Sequence, residues 1–464
     1  MERENMWKQY SPEQLAELEE VSSRYKECLN LGKTERECVA LAISMAEAKG
    51  YKNLKDCIAG REELHPGDKV YAERMGKILA LFMLGDRPLE EGMNILGAHI
   101  DSPRLDVKQN PLYEDADMAY LDTHYYGGIK NYQWTAIPLA LHGTVSKKDG
   151  TVQTIVIGEK DDEPVLVVSD LLVHLAGEQM DKKGSVVIEG ENLDVLVGAR
   201  PMAESGDQKE KELVKAEILR YLNENYGIEE EDFLSAELEI VPAGKARDCG
   251  LDRSMILSYG QDDRICAFTS LFALLETEKT SRTACCILVD KEEIGSVGAT
   301  GMQSRFFENT VAELVALTVG ESALKTRRAL ENSYMLSSDV SAGFDPLYAD
   351  AFEKKNTAYL GRGLCLNKYS GSRGKNGSND ANAEYIAKLR KVFDDNHVGF
   401  QTAEWGKVDV GGAGTIAYIM AGYGMNVIDS GMALLSMHAP WETSSKADVY
   451  EGYKGYKAFL REME

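Results

Sequence analysis

Four apolar runs of this 464-residue chain end in groups that bind metals or move protons. Residues 95–98 run into His99 and Asp101, 284–289 into Asp290-Lys291-Glu292-Glu293, 334–336 into Ser337-Ser338-Asp339, and 432–437 into His438. A fifth acidic group, Asp262-Asp263, precedes a helix-forming run, where exposed amides favour carboxylates. In open α/β sheets the carboxyl ends of the strands form the ligand crevice, so one crevice collects two imidazoles and several carboxylates. Each piece alone is commonplace. Together they supply the ligands of a two-metal site, in which ions about 3.5–4 Å apart share one bridging carboxylate and leave room for water. Mixed His and carboxylate ligation suits zinc, with cobalt or manganese as alternatives. A carboxylate beside the ligands but not bound would act as general base on the activated water. No G-x-S-x-G, P-loop or HExxH pattern occurs, which agrees with that route.

The elements that must position these groups are legible in outline. Ser11-Pro12-Glu13-Gln14 is a capping-box start for a helix with Leu15, Leu18, Val21, Tyr25 and Cys28 at helical spacing, and Thr34 with Glu37 opens a second. Between about Leu105 and Leu234 short β-prone runs dominate (TVQTIVIG, EPVLVVSD, SVVIEG). A polar loop, Arg200 to Lys211, then leads to a helix through Val214, Ile218 and Leu222 that Gly227 closes. Afterwards strands and helices alternate: SAELEIV precedes a helix over residues 264–276, ACCILV precedes a Gly-rich turn, and MALLSM comes near the end. The expected fold is α/β, a mostly parallel central sheet with helices on both faces, interrupted by a β-rich insert. The expected boundaries are 1–104 and 237–464 for the catalytic domain and 105–236 for the insert.

Composition bounds the partners. With 52 Lys+Arg against 76 Asp+Glu the formal charge is −24, which argues against nucleic acid and anionic membranes as partners. The first twenty residues are charged and lack the apolar core of a signal peptide. The uncharged stretch 410–428 carries five glycines and reads as buried α/β core, not a membrane span. Eight cysteines without CxxC pairing read as buried thiols in a reducing compartment, so a cytoplasmic location is expected.

Five ordered motifs, GAHIDSPRLD, GQDDRICAF, VDKEEIGSVG, SSDVSAG and SMHAPWE, resemble those of the M18 metallo-aminopeptidases, the aspartyl aminopeptidase group. KYSGSRGKNGSNDANAEY and GKVDVGGAGTIA extend the resemblance over most of the chain. It implies a dinuclear aminopeptidase that removes an acidic or neutral N-terminal residue from peptides without a covalent enzyme intermediate. One metal falls to His99 and Asp339, the other to Glu293 and His438, with Asp262 as bridge, Glu292 as general base and acid, and Asp101 orienting His99. Family order selects Asp262 over Asp263 and Glu292 over Glu293; spacing alone separates neither pair. The resemblance further implies dimers, formed through the insert, that assemble into a tetrahedral dodecamer.

The basic segment Lys368 to Lys375 stands out in an acidic chain, and Lys368, Arg373 and Lys375 are candidates to hold an acidic side chain or a terminal carboxylate; a solvated loop is the other reading. His174 lies in the insert at a place that resembles a family segment able to reach a neighbouring subunit's active site; a core or surface histidine is the other reading. Trp134-Thr135-Ala136-Ile137 replaces an acidic-basic pair of the better-known aspartyl enzymes, which bears on strict aspartyl specificity. Two competing functions are a co-catalytic zinc deacylase or dipeptidase of M20/M42-like type and a non-enzymatic, metal-stabilised assembly protein. The spare base Glu292 weighs against the latter, because structural sites close their coordination.

Overall fold

Both capping boxes form in the computed structural model, which describes residues 3–203 and 212–464. The Ser11 hydroxyl accepts the Gln14 amide ahead of helix Pro12–Leu31, and Thr34 accepts the Glu37 amide ahead of helix Glu35–Glu47. The chain divides into two units. One comprises everything up to Asp101 together with Ala246–Met437 and Glu442–Glu464; the other comprises Ser102–Lys245 and His438–Trp441.

The first unit is built on a nine-stranded sheet. At its centre Met93–His99, buried along its whole length, pairs in parallel with Thr283–Val289 on one side and Tyr334–Ser338 on the other. Asn426–Gly431 continues the parallel block beyond Tyr334–Ser338. Five of the eight neighbouring pairs are parallel and three antiparallel, so the sheet is mixed. Alternate side chains feed two cores. Leu96, Ala98, Cys286, Leu288 and Leu336 pack under helices Pro12–Leu31, Gln261–Leu275 and Lys446–Glu462. Ile95, Ile287, Met335 and Val427 pack under helices Phe306–Val319, Ala323–Glu331 and Ala417–Ala421. Helix Gln261–Leu275 is buried on every side, and from Ile265 onward its sequence is apolar but for Thr269 and Ser270. A second sheet of this unit, five short strands, includes Met255–Ser258, Glu442–Ser445 and Ala433–Leu435.

The second unit carries an antiparallel six-stranded sheet in the order Val152–Ile157, Leu139–Ser146, Ala236–Pro242, Arg104–Asp115, Met118–Tyr126, Val195–Gly198. Helix Leu213–Tyr226 ends at Gly227 in the left-handed conformation. SAELEIV, expected to follow the insert, is an inner strand of this sheet, paired along its length with Leu139–Ser146.

Three local expectations fail. Of the β-prone runs only TVQTIVIG forms a strand. EPVLVVSD makes only single bridges, Leu166 to Leu139 and Val167 to Leu196. SVVIEG lies between Gly184 and Gly190, forms no strand, and leaves Val186 half-exposed. The stretch 410–428 has no buried residue before Thr415 and is exposed again at Tyr418, Gly422 and Gly424; Val410 is 66% exposed in a turn. Part of the polar loop, residues 204–211, lies outside the described residues. Among the described residues no helix is long and apolar enough to cross a membrane.

Candidate metal centre

The three parallel strands end level with one another, since Val289 pairs with His99 and Ser337 with Gly97. That register sets His99, Asp290 and Asp339 side by side at one edge of the sheet, and the start of helix Gln261–Leu275 brings in Asp262 and Asp263. His99 Nε2 stands 3.3 Å from Asp262 Oδ1 and 4.0 Å from Asp339 Oδ1. Ligands about 2.0–2.1 Å from a tetrahedral zinc stand roughly 3.3 Å from each other, the separation of His99 and Asp262, while Asp339 stands wider. One donor atom from each of His99, Asp262 and Asp339 lies within 4.8 Å of the others, and Asp262 also has an oxygen within 4.8 Å of a Glu293 oxygen. Asp262 is thus common to both directions, as a bridging carboxylate must be.

Asp101 organises the crevice. His99 Nδ1 donates to the Asp101 carbonyl oxygen at 3.0 Å, with Asp101 Oδ1 at 3.4 Å, which leaves Nε2 as the nitrogen facing Asp262 and Asp339. The Asp101 carboxylate also accepts the backbone amides of Glu292 and Glu293, each at 3.2 Å. One fully buried acid therefore orients the imidazole and holds the turn carrying the acidic pair. That turn enters through Lys291 at φ 67°, a strained conformation for a residue with a side chain. Glu292 and Glu293 are half-buried while His99, Asp262 and Asp339 are buried.

Asp262 and Asp263 do different work. Asp263 Oδ2 accepts the backbone amide of His99 at 3.3 Å, so it faces the strand, not the imidazole edge where Asp262 stands. Burial pushes Asp263 well above the usual carboxylate range. It does the same to Asp339, reinforced by Asp263 and the other acids nearby. Burial opposes a charge on His99, yet the Asp101 and Asp262 carboxylates lift it well above its ordinary value.

The remaining sequence candidates are His438, His174, Lys368, Arg373 and Lys375. His438 lies in the second unit, where its Nδ1 donates to the Gly128 carbonyl oxygen at 2.8 Å, which leaves Nε2 as the unprotonated nitrogen, from a backbone at φ 65°. His174 is exposed in the same unit. Lys368 and Lys375 converge on one carboxylate, Asp380, at 3.6 and 3.0 Å, and Lys375 sits 3.8 Å over the Tyr369 ring. Arg373 is exposed nearby at φ 42°. Residues not singled out in the sequence also shape the crevice. Glu442 accepts the backbone amides of Gln261 and Asp262, Arg264 donates to the Ile100 carbonyl at 3.1 Å, and the Thr415 hydroxyl donates to Asp429 at 2.6 Å. Their partners are mostly backbone atoms far away in sequence, which no motif spacing reveals.

Comparison with known proteins identifies a family. Residues 28–460 match the sequence model of the family described as aminopeptidase I zinc metalloprotease (M18). A probable M18 family aminopeptidase 1 of Clostridium acetobutylicum is 60% identical over 99% of this chain and 98% of its own. The crystal structure of an M18 aminopeptidase from Thermotoga maritima superposes with a TM-score of 0.93 at 44% identity, over 99% of both chains. A dodecamer of mApe1 from S. cerevisiae shares the fold, with a TM-score of 0.76 at 22% identity over 95% of this chain and 96% of that one. Matched along almost its whole length at such identity, the chain belongs to the M18 family of zinc metallo-aminopeptidases, hydrolases of the peptide bond.

Proposed function

We propose that the chain is a dinuclear aminopeptidase that releases acidic or neutral N-terminal residues from peptides. The observation that carries this reading is the position of Asp262, within ligand distance of His99 and Asp339 on one side and of Glu293 on the other. His99, Asp262 and Asp339 would hold one ion, and Asp262, Glu293 and His438 the other; His438 enters from its place in SMHAPWE and from the tautomer its Gly128 bond selects. When bound, such ions, most readily zinc, polarise the scissile carbonyl and lower the pKa of a water. Glu292, adjacent to the ligands and held through its backbone by Asp101, takes the proton from that water and delivers it to the leaving amine. Asp101 keeps the His99 imidazole in the ligating tautomer throughout.

Lys368, Arg373 and Lys375 would meet an acidic substrate side chain. Asp380 already occupies both lysines, which favours neutral residues as well as acidic ones. The second unit is assigned to self-association, supported by its exposed apolar run Leu171, Leu172, Val173, Leu175 and Met180. In a dimer and then a dodecamer, as in mApe1, His174 would reach a neighbouring active site. Eight free thiols, seven of them buried, suit a reducing cytoplasm.

The test is a panel of aminoacyl-anilides (Asp, Glu, Leu, Met, Lys) and their N-acyl counterparts, assayed alongside metal analysis and native mass measurement. Two ions per chain and hydrolysis of unblocked substrates alone are expected. One ion per chain, activity that survives chelation, or cleavage of N-acyl substrates refutes the reading, and a plain monomer refutes the assembly.

A further inference from the structure

Resting on the dinuclear reading above, we propose that Glu442 is a positioning residue that sets the bridging Asp262 by clamping the backbone on which it stands. Glu442 is 1% exposed. Its Oε2 accepts two consecutive amides, Gln261 N at 2.7 Å and Asp262 N at 3.1 Å. Its carbonyl oxygen accepts Gln261 Nε2 at 2.7 Å, and the same side-chain nitrogen donates to the Ile256 carbonyl at 3.2 Å. The Ser444 hydroxyl donates to Gln261 Oε1 at 2.6 Å. Glu442 and Ser444 both lie on strand Glu442–Ser445, which is paired on both sides, with Met255–Ser258 and with Ala433–Leu435. The clamp is therefore anchored in a sheet.

Asp262 needs such an anchor. Its φ of −80° and ψ of 106° lie outside the helical region, so the hydrogen-bond ladder of the following helix does not fix it. Two amides converging on one oxygen of a buried side chain do fix it. A bridging ligand must hold its position to within about 0.2 Å for both ions at once. Loss of a partner that orients a ligand typically lowers metal affinity about 10–100-fold. The alternative role for Glu442 is a mere negative charge near two cations.

Two substitutions in the full-length protein separate these roles. Glu442→Asp keeps the charge and withdraws the oxygens by one methylene; Glu442→Gln keeps the reach and an acceptor oxygen without the charge. Zinc binding to the metal-free proteins is measured by competition with a chromophoric chelator, and by the zinc-induced rise in Tm. Glu442→Gln is expected within about threefold of wild type and Glu442→Asp at least about tenfold weaker, with kcat falling while KM holds. The reverse order, or two variants that both bind as wild type, overturns the clamp. Should Glu442→Asp not fold, Gln261→Ala loosens the same turn; undiminished zinc affinity there overturns it equally. A wild type that binds no zinc overturns the dinuclear reading itself.

Discussion

Gly431, the last residue of strand Asn426–Gly431, has no space for a side chain. A Cβ at this position would stand 1.9 Å from the carbonyl oxygen of Asp339 and 2.6 Å from its carbonyl carbon. Ordinary contact begins at 3.4 Å, so in Gly431→Ala one of the two backbones must retreat by about 1.5 Å. The Asp339 amide donates to the Ser430 carbonyl at 3.1 Å, which ties the two segments and routes the displacement into the assigned ligand. Ligand positions are held to about 0.2 Å, several times less than the required retreat. Gly97→Ala is the control in the same sheet. There the nearest obstruction, at 2.4 Å, is the Met335 methyl group, the tip of a flexible side chain, with Ile287 and Ile416 at 3.2 and 3.4 Å.

Overpacking costs both variants about 1–3 kcal/mol of stability, less at Gly97 because methionine turns aside easily. Zinc separates them. Gly431→Ala should lose more than about 100-fold in zinc affinity, beyond the cost of removing a ligand's outer partner. Gly97→Ala should keep the wild-type stoichiometry. The assay is an equilibrium zinc titration of the metal-free proteins, read beside their Tm values. A stable Gly431→Ala protein that binds zinc as wild type would refute the assignment of Asp339. Equal zinc loss in both variants would refute the argument that backbone and side-chain obstructions differ.

Three further outcomes are expected. Glu292→Gln should retain both ions and lose about 10²–10⁴-fold in kcat, by metal analysis and steady-state kinetics; an unchanged rate would remove Glu292 as the base. Burial pushes Asp429 up to about 7, so the folded chain holds a proton there that the unfolded chain has released. Its stabilisation is full below the ordinary carboxylate value near 4 and fades as pH rises through 7. Metal-free Asp429→Asn should therefore gain in Tm on wild type between pH 5 and pH 8, and a constant difference would contradict the raised value. Finally, a disulfide reagent should label Cys249 first in the native protein and the other seven thiols only on unfolding, because those seven are buried; burial holds Cys28 and Cys38 up at about 12. Rapid labelling of several thiols would contradict the packing around them.

What the sequence displayed and what it concealed divide along physical lines. Periodicity and caps are local, so helices Pro12–Leu31, Glu35–Glu47 and Leu213–Tyr226 were readable from side-chain spacing and from Ser11, Thr34 and Gly227. Strand formation depends on a partner edge. EPVLVVSD and SVVIEG have the composition of strands, yet the first makes only single bridges and the second forms no strand, whereas SAELEIV joined a sheet of the second unit. The metal-ligand candidates were visible because strand ends and titratable residue types coincide at His99 and Asp339, with Glu293 in the turn that follows Val289.

Adjacent carboxylates show where that visibility stops. Composition treats Asp262 and Asp263 alike, and so does spacing. In the fold, Asp263 faces the backbone amide of His99 and Asp262 the imidazole edge, a difference set by two non-helical residues at the start of one helix. Glu442 was hidden for a related reason: it acts on backbone amides 180 and 181 positions away, and an amide has no residue type to recognise. The basic segment is the converse case. Its cations were conspicuous, but their counter-charge, Asp380, lies only five residues beyond Lys375 and reads as one more acid in an acidic chain. Charge counted along a sequence says which ions are present; only register and turn geometry decide which of them an incoming carboxylate would find already paired.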